Sequence, residues 1–218
     1  MRNIDLSLYL VTDRNLIKNS TLPALVHHAV ENGVTAVQLR EKKIDTRQFI
    51  RLALDLKKIL DPLQIPLIIN DRVDVALAVD ASGVHLGQHD MPVSIARNLL
   101  GDDKIVGLSV ESEKDVENAD ALSADYLGVS PIFSTPTKTD TIIEWGLDGL
   151  KKVKTMTDYP LVAIGGINPE NASEVLKHGA DGIAVVSAIC AADDPGRASK
   201  QLRELIDSVK SPGIELNR

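Results

Sequence analysis

The sequence predicts a (β/α)₈ barrel in a single domain covering residues 1–218, and three observations carry that expectation. Short apolar runs alternate with helix-like stretches from one end of the chain to the other. The apolar runs lack in-and-out alternation, as strands buried on both faces do. Polar and charged residues gather just after these runs, with no comparable set before them, and the C-terminal rim is where β/α barrels build their sites.

The expected strands are Leu8–Val11, Ala36–Leu39, Leu67–Ile69, Val84–Leu86, Ile105–Leu108, Tyr126–Val129, Leu161–Ile164 and Ile183–Val186. Between them, three- and four-residue apolar spacing marks helices at Leu22–Glu31, Thr46–Leu60, Glu113–Leu122 and Glu170–His178. A last helix runs from Pro195 to about Val209. Thr21 and Asp45 are N-cap candidates, and Asn32-Gly33 and His178-Gly179 read as helix ends feeding the next strand. No linker or low-complexity segment interrupts the run. A doubly wound open sheet is the alternative architecture, because it alternates the same elements.

Composition narrows the function. At 218 residues the chain is near the lower end for this fold, for which about 250 is typical. Aromatic residues are only 3%, so the core is expected to be built from Val, Ile, Leu and Ala. A net charge of −7 argues against nucleic acid or an anionic membrane as a partner, while leaving room for a local phosphate site. One cysteine, Cys190, precludes an internal disulfide and suits a reducing compartment; it is expected to be buried and inert. Without a leader-like segment or a long apolar run, a cytoplasmic location is expected. Oligomeric state is left open, and a homo-oligomer is compatible with the sequence.

The strand ends hold the chemistry. Gln38, Arg40 and Lys42 are two apart, so in extended chain they project together, while Leu39 packs outward. Two cations and an amide facing inward suit a phosphorylated ligand. Strand three runs into Asn70, Asp71 and Arg72, and strand four into His85, Gln88, His89 and Asp90. Asp71 and Asp90, on neighbouring strand ends, can share a magnesium ion, which takes one or two carboxylates and bridges phosphates. The competing account is a set of salt bridges from Asp71 to Arg72 or Arg40, with Asp90 as a helix N-terminal charge. No tight His/Cys spacing supports zinc, and His85 reads as a packed or hydrogen-bonded core histidine. Strand five contributes Ser109. After strand six, Ser130 leads to a polar loop with Ser134, Thr135, Pro136, Thr137 and Lys138, a candidate lid. Trp145 is expected to anchor that loop by packing. Gly165-Gly166 after strand seven, with Val186 and Ser187 on strand eight, is where barrels frequently bind phosphate.

The segments VQLREK, IINDR, GVHLGQHD, GLSV, SPIFSTPTKTD, AIGGI and AVVSAI, taken together and in order, resemble the thiamine-phosphate synthase family over essentially the whole chain. The resemblance implies a transferase that couples 4-amino-2-methyl-5-pyrimidinylmethyl diphosphate to a thiazole phosphate. It implies that Gln38, Leu39, Arg40, Glu41, Lys42, Asn70, Ser109 and Lys138 meet the pyrimidine diphosphate. Arg40, Lys42, Ser109 and Lys138 would serve the chemistry itself, and Asp71 and Asp90 would bind Mg²⁺. Thr135, Pro136, Thr137, Gly166, Val186 and Ser187 would hold the thiazole phosphate. The chain departs from the usual family pattern at Ser130, where Gly often precedes the proline. Three rivals remain: the family's thiazole tautomerase paralogue, another phosphate-binding barrel such as an aldolase, and a regulatory phosphate binder. The first has little use for Gln38, Arg40, Lys42, Asp71 and Asp90, and a Schiff-base aldolase would need a lysine within a strand end, which none of the eight strands offers.

Overall fold

Parallel pairing organises the chain. The computed structural model describes residues 4–119, 123–134 and 144–211. Eight strands close into a barrel in chain order: β1 (Leu8–Val11), β2 (Ala36–Leu39), β3 (Leu67–Asn70), β4 (Gly83–Leu86), β5 (Ile105–Val110), β6 (Tyr126–Val129), β7 (Leu161–Ile164) and β8 (Gly182–Val185). Pairing of β8 with β1, Tyr9 opposite Ala184, closes the ring and excludes the open sheet. The expected strand bounds differ from these by two residues at most.

Helices α1 (Leu22–Glu31) and α2 (Thr46–Leu60) have the expected bounds. Thr21 accepts from the Ala24 N–H and Asp45 from the Gln48 N–H, so both caps satisfy a helix donor that would otherwise lack a partner. Short helices α3 (Val73–Ala78) and α4 (Val93–Leu100) follow β3 and β4, and α5 (Glu113–Ala119) and α6 (Gly146–Met156) flank β6. The expected end of α5 at Leu122 lies outside the described residues. After β7, α7 (Ala172–Lys177) starts two residues later than expected from Glu170. Asn168 and Asn171 explain the delay: each side chain accepts main-chain N–H bonds from the other's turn, which holds this stretch out of the helix. Beyond β8 lie α8 (Ser187–Cys190) and α9 (Pro195–Lys210). Gly33 and Gly179 end α1 and α7 at φ of +106° and +109°, the left-handed exit that glycine adopts without strain.

Outward side chains of the strands, such as Val37, Leu39 and Val185, join the helices in one aliphatic layer. Inside the barrel the expectation of a purely aliphatic filling is overturned. Tyr9 and Tyr126 are fully buried there among Val11, Ala36, Ile68, Ile105, Val162 and Ala184. Their rings fit because β5 is bare at Gly107, where a Cβ would lie 2.2 Å from Tyr126 Cζ.

The N-terminal end of the barrel is tied by ion pairs. Asp125, just before β6, accepts from the Val106 N–H at 2.8 Å and from Arg97 at 2.7 Å. Asp181, just before β8, accepts from the Leu161 N–H at 2.8 Å and from Lys154 at 2.9 Å. An aspartate bonded to the first or second residue of a neighbouring strand thus sets strand stagger at two places. Among the described residues, no helix is long and apolar enough to cross a membrane.

Candidate active site

A cavity of about 440 Å³ opens at the C-terminal mouth of the barrel. β2 sends Gln38 and Arg40 into it, with Lys42 just beyond the strand; β3 supplies Asn70 and Asp71, β4 His85 and Asp90, and β5 Ser109. Gly165, Gly166, Val186 and Ser187 complete the far wall. The two-residue alternation of an extended chain does this: Gln38 and Arg40 face in, while Leu39 is wholly buried in the outer layer. Glu41 also turns away and forms an ion pair with Arg14, Nε to Oε1 at 2.5 Å. The side chains of Leu39 and Glu41 thus face away from the cavity, and a ligand contact from either residue would come through its main chain.

One side of the mouth is a compact set of charges. Lys42 Nζ stands 2.5 Å from Asp71 Oδ2, so the partner of Asp71 is neither Arg72 nor Arg40. Arg72 instead pairs with Asp74 and with the Thr46 hydroxyl. Asp71 itself sits at φ of +62°, an unusual backbone state for a non-glycine residue. Asp90 accepts from the Gly87 N–H at 2.7 Å and caps a turn rather than a helix. Burial, and then the neighbouring Asp71 carboxylate, push Asp90 above the usual carboxylate range. Two crowded carboxylates with hard oxygen donors are a fitting pair for a divalent cation such as magnesium.

Two more polar groups here await partners. Asn70 is 7% exposed, and its Nδ2 has no hydrogen-bond acceptor among the described residues. A buried amide left unpaired is unfavourable, so a ligand oxygen at this place would stabilise it. The Arg40 N–H of the main chain donates to the Thr12 hydroxyl at 3.1 Å, while its guanidinium has no carboxylate partner among the described residues.

The far wall is a backbone structure. Gly165 and Gly166 have φ of +103° and +66°. They lie against the segment Pro131–Ser134: Ile132 N–H donates to Ile164 O at 3.0 Å and Phe133 N–H to Gly165 O at 3.1 Å. The glycines therefore admit a neighbouring chain as well as facing the cavity. A Cβ on Gly166 would lie 2.8 Å from Phe133 Cβ and 3.0 Å from Ser134 O. Gly166→Ala is expected to raise the KM for the ligand bound at this wall by roughly tenfold or more, combining left-handed strain of about 1–2 kcal/mol with that clash. Equal KM values in steady-state assays would refute the close packing as a determinant of binding. Thr135, Pro136, Thr137 and Lys138 lie outside the described residues. Trp145 packs its side chain against the outer layer, and its main-chain N–H donates to Pro131 O at 3.0 Å, which ties residues on both sides of that segment.

A family model described as thiamine monophosphate synthase matches residues 8–189, the barrel from β1 through α8. The chain belongs to the thiamine monophosphate synthase family. It is 59% identical over 204 residues to a thiamine-phosphate synthase of Albidiferax ferrireducens, covering 94% of this chain and 93% of that one. Against a thiamine-phosphate synthase of Vibrio campbellii it is 56% identical over 199 residues, covering 91% and 97%. Its fold superposes on thiamine phosphate pyrophosphorylase from Pyrococcus furiosus with a TM-score of 0.86, at 42% identity and with 94% and 96% of the two chains covered. The chain is accordingly an enzyme, a transferase of thiamine biosynthesis, and the tautomerase, aldolase and regulatory alternatives fall away.

Within this member of the thiamine monophosphate synthase family, sequence reasoning missed part of the cavity floor. Tyr9 and Tyr126 line it, and Tyr126 stacks on His85 with ring centroids 5.5 Å apart. His85, expected to be a core histidine, is hydrogen-bonded as foreseen but also faces the cavity. The available signal was phase: Tyr9 and Tyr126 lie on the inward alternation of their strands, and Gly107 leaves space for Tyr126 as Gly128 does for His85. Cys190 is buried, its thiol pushed up to about 11 by desolvation, in keeping with an inert role.

Proposed function

We propose that the cavity joins 4-amino-2-methyl-5-pyrimidinylmethyl diphosphate to a thiazole phosphate, releasing pyrophosphate and forming thiamine phosphate. The observation that carries this reading is the buried Asn70 amide without an acceptor, set beside the Asp71–Asp90 pair and the Arg40 and Lys42 cations. That combination suits a diphosphate, which brings several acceptor oxygens and a charge that two cations offset. A monophosphate on Gly166, Val186 and Ser187 would then face it across the cavity.

The reaction breaks the bond between the pyrimidine methylene and the diphosphate oxygen. The thiazole nitrogen then supplies its electron pair to the methylene. The pyrimidine amino group can push electrons toward that carbon as the diphosphate leaves, so no side chain has to act as nucleophile. Arg40 and Lys42 neutralise the leaving group, and Ser109 orients the substrate on β5. The motif-based reading adds Lys138 to the diphosphate end and Thr135, Pro136 and Thr137 to the monophosphate end. A magnesium ion held by Asp71 and Asp90 would add further positive charge at the departing diphosphate. The walls bring the nitrogen and the methylene into line. A cytoplasmic setting suits the lone, buried cysteine.

Incubation with both substrates and magnesium tests the reading directly. Thiamine phosphate and pyrophosphate are expected in equal amounts. Isomerisation of the thiazole phosphate alone, with no coupling, would overturn it.

A further inference from the structure

The floor of the cavity holds a continuous chain of hydrogen bonds. Gln38 Nε2 donates to Tyr9 Oη at 3.0 Å, and Tyr9 Oη lies 3.0 Å from Tyr126 Oη. Tyr126 Oη is 2.9 Å from His85 Nδ1, and His85 Nε2 is 2.9 Å from Ser109 Oγ. The chain thus crosses the barrel from β2 to β5 and begins and ends on residues that line the cavity.

Its direction follows from counting protons. Each phenol has one hydrogen, and burial raises both well above the ordinary tyrosine range, so both keep it. Tyr9 accepts from Gln38, which leaves its own hydrogen for Tyr126. Tyr126 must then donate to His85 Nδ1. That places the imidazole hydrogen on Nε2, which donates to Ser109 Oγ. In this ordering every proton within the chain has an acceptor. Reversing the Tyr126 bond strands the Tyr9 hydrogen, because no other acceptor for it is present among the described residues.

We propose that Tyr9 and Tyr126 are positioning residues that lock Gln38 and Ser109 into complementary roles. Gln38 presents its carbonyl to the cavity as an acceptor, and Ser109 presents its hydroxyl as a donor. The two groups are set before any ligand arrives, and neither can reverse without the whole chain reversing. A ligand with a donor at one edge and an acceptor at another, as an aminopyrimidine has, fits this polarity. That last assignment rests on the pyrimidine reading above; the relay itself does not.

Two measurements separate these levels. In ligand-free protein labelled with ¹⁵N-histidine, NMR is expected to show His85 neutral with its hydrogen on Nε2. In Tyr126→Phe, Nδ1 loses its donor, and its ¹⁵N shift should move toward that of an imidazole nitrogen without a hydrogen bond. A wild-type hydrogen on Nδ1, or an Nδ1 shift unaffected by Tyr126→Phe, would overturn the relay. In coupling assays, Tyr126→Phe and Tyr9→Phe should each raise the KM for the pyrimidine diphosphate by roughly three- to tenfold while leaving that for the thiazole phosphate unchanged. Combining either with Ser109→Ala should give less than the product of the single losses, since both interrupt one chain. Equal rises for both substrates, or losses that multiply, would reduce the tyrosines to packing. Failure of the wild type to couple the substrates would remove the pyrimidine assignment and leave the relay to be judged by the His85 tautomer.

Discussion

Asp71→Asn is expected to lower coupling by at least about 100-fold while leaving the fold intact. Asparagine is the informative replacement because Asp71 sits at φ of +62°, a conformation that asparagine tolerates. Alanine there would add strain of roughly 1–2 kcal/mol and confuse a loss of charge with a loss of shape. The substitution removes the charge of one of the two carboxylates proposed to hold magnesium and releases Lys42, now 2.5 Å away. It also relieves the crowding of Asp90, whose carboxyl should fall back toward the ordinary range as far as its burial allows. Asp90→Asn is the matching variant, since its amide oxygen can still accept from the Gly87 N–H. Steady-state rates across a magnesium titration, with circular dichroism as the fold control, decide the matter. Full activity in either variant would rule out the metal assignment.

Arg97→Ala is expected to act at the opposite end of the barrel and on stability instead. Arg97 and Asp125 are each only 13% exposed. The guanidinium also donates to the main-chain oxygens of Gly101, Lys104 and Ser123. Truncation would leave a largely buried carboxylate and three carbonyls without the guanidinium, a loss of about 3–5 kcal/mol. Chemical denaturation should show that drop, and activity below the transition should stay close to wild type. Carbonyl-to-cation ties on the N-terminal face support the barrel, while the candidate site lies at the C-terminal face. An unchanged denaturation midpoint would show that water replaces those bonds.

The contrast between these two sites bears on what could be read in advance. Strand and helix positions were legible because they depend on local signals: apolar runs, cap residues such as Thr21 and Asp45, and glycine exits at Gly33 and Gly179. The inward set Gln38, Arg40 and Lys42 was legible because two-residue alternation decides the direction of a side chain once the strand is placed. The start of α7 was not, because Asn168 and Asn171 compete for main-chain donors only when the turn brings them together. The partner of Asp71 was not, because Arg72 is its neighbour in the chain and only the approach of β2 to β3 brings up Lys42, 29 residues away.

By itself, the sequence determined the barrel, its eight strand positions, the family and the rim on which the site stands. These depend on periodicity and on motifs that are contiguous in the chain. Tertiary structure alone decided that Leu39 and Glu41 turn away, that Gly165 and Gly166 seat the Pro131–Ser134 segment, and that Tyr9, Tyr126 and His85 link Gln38 to Ser109. Each of those facts is a distance between residues from different strands. Such distances are set by barrel closure and stagger, which no stretch of the chain encodes locally.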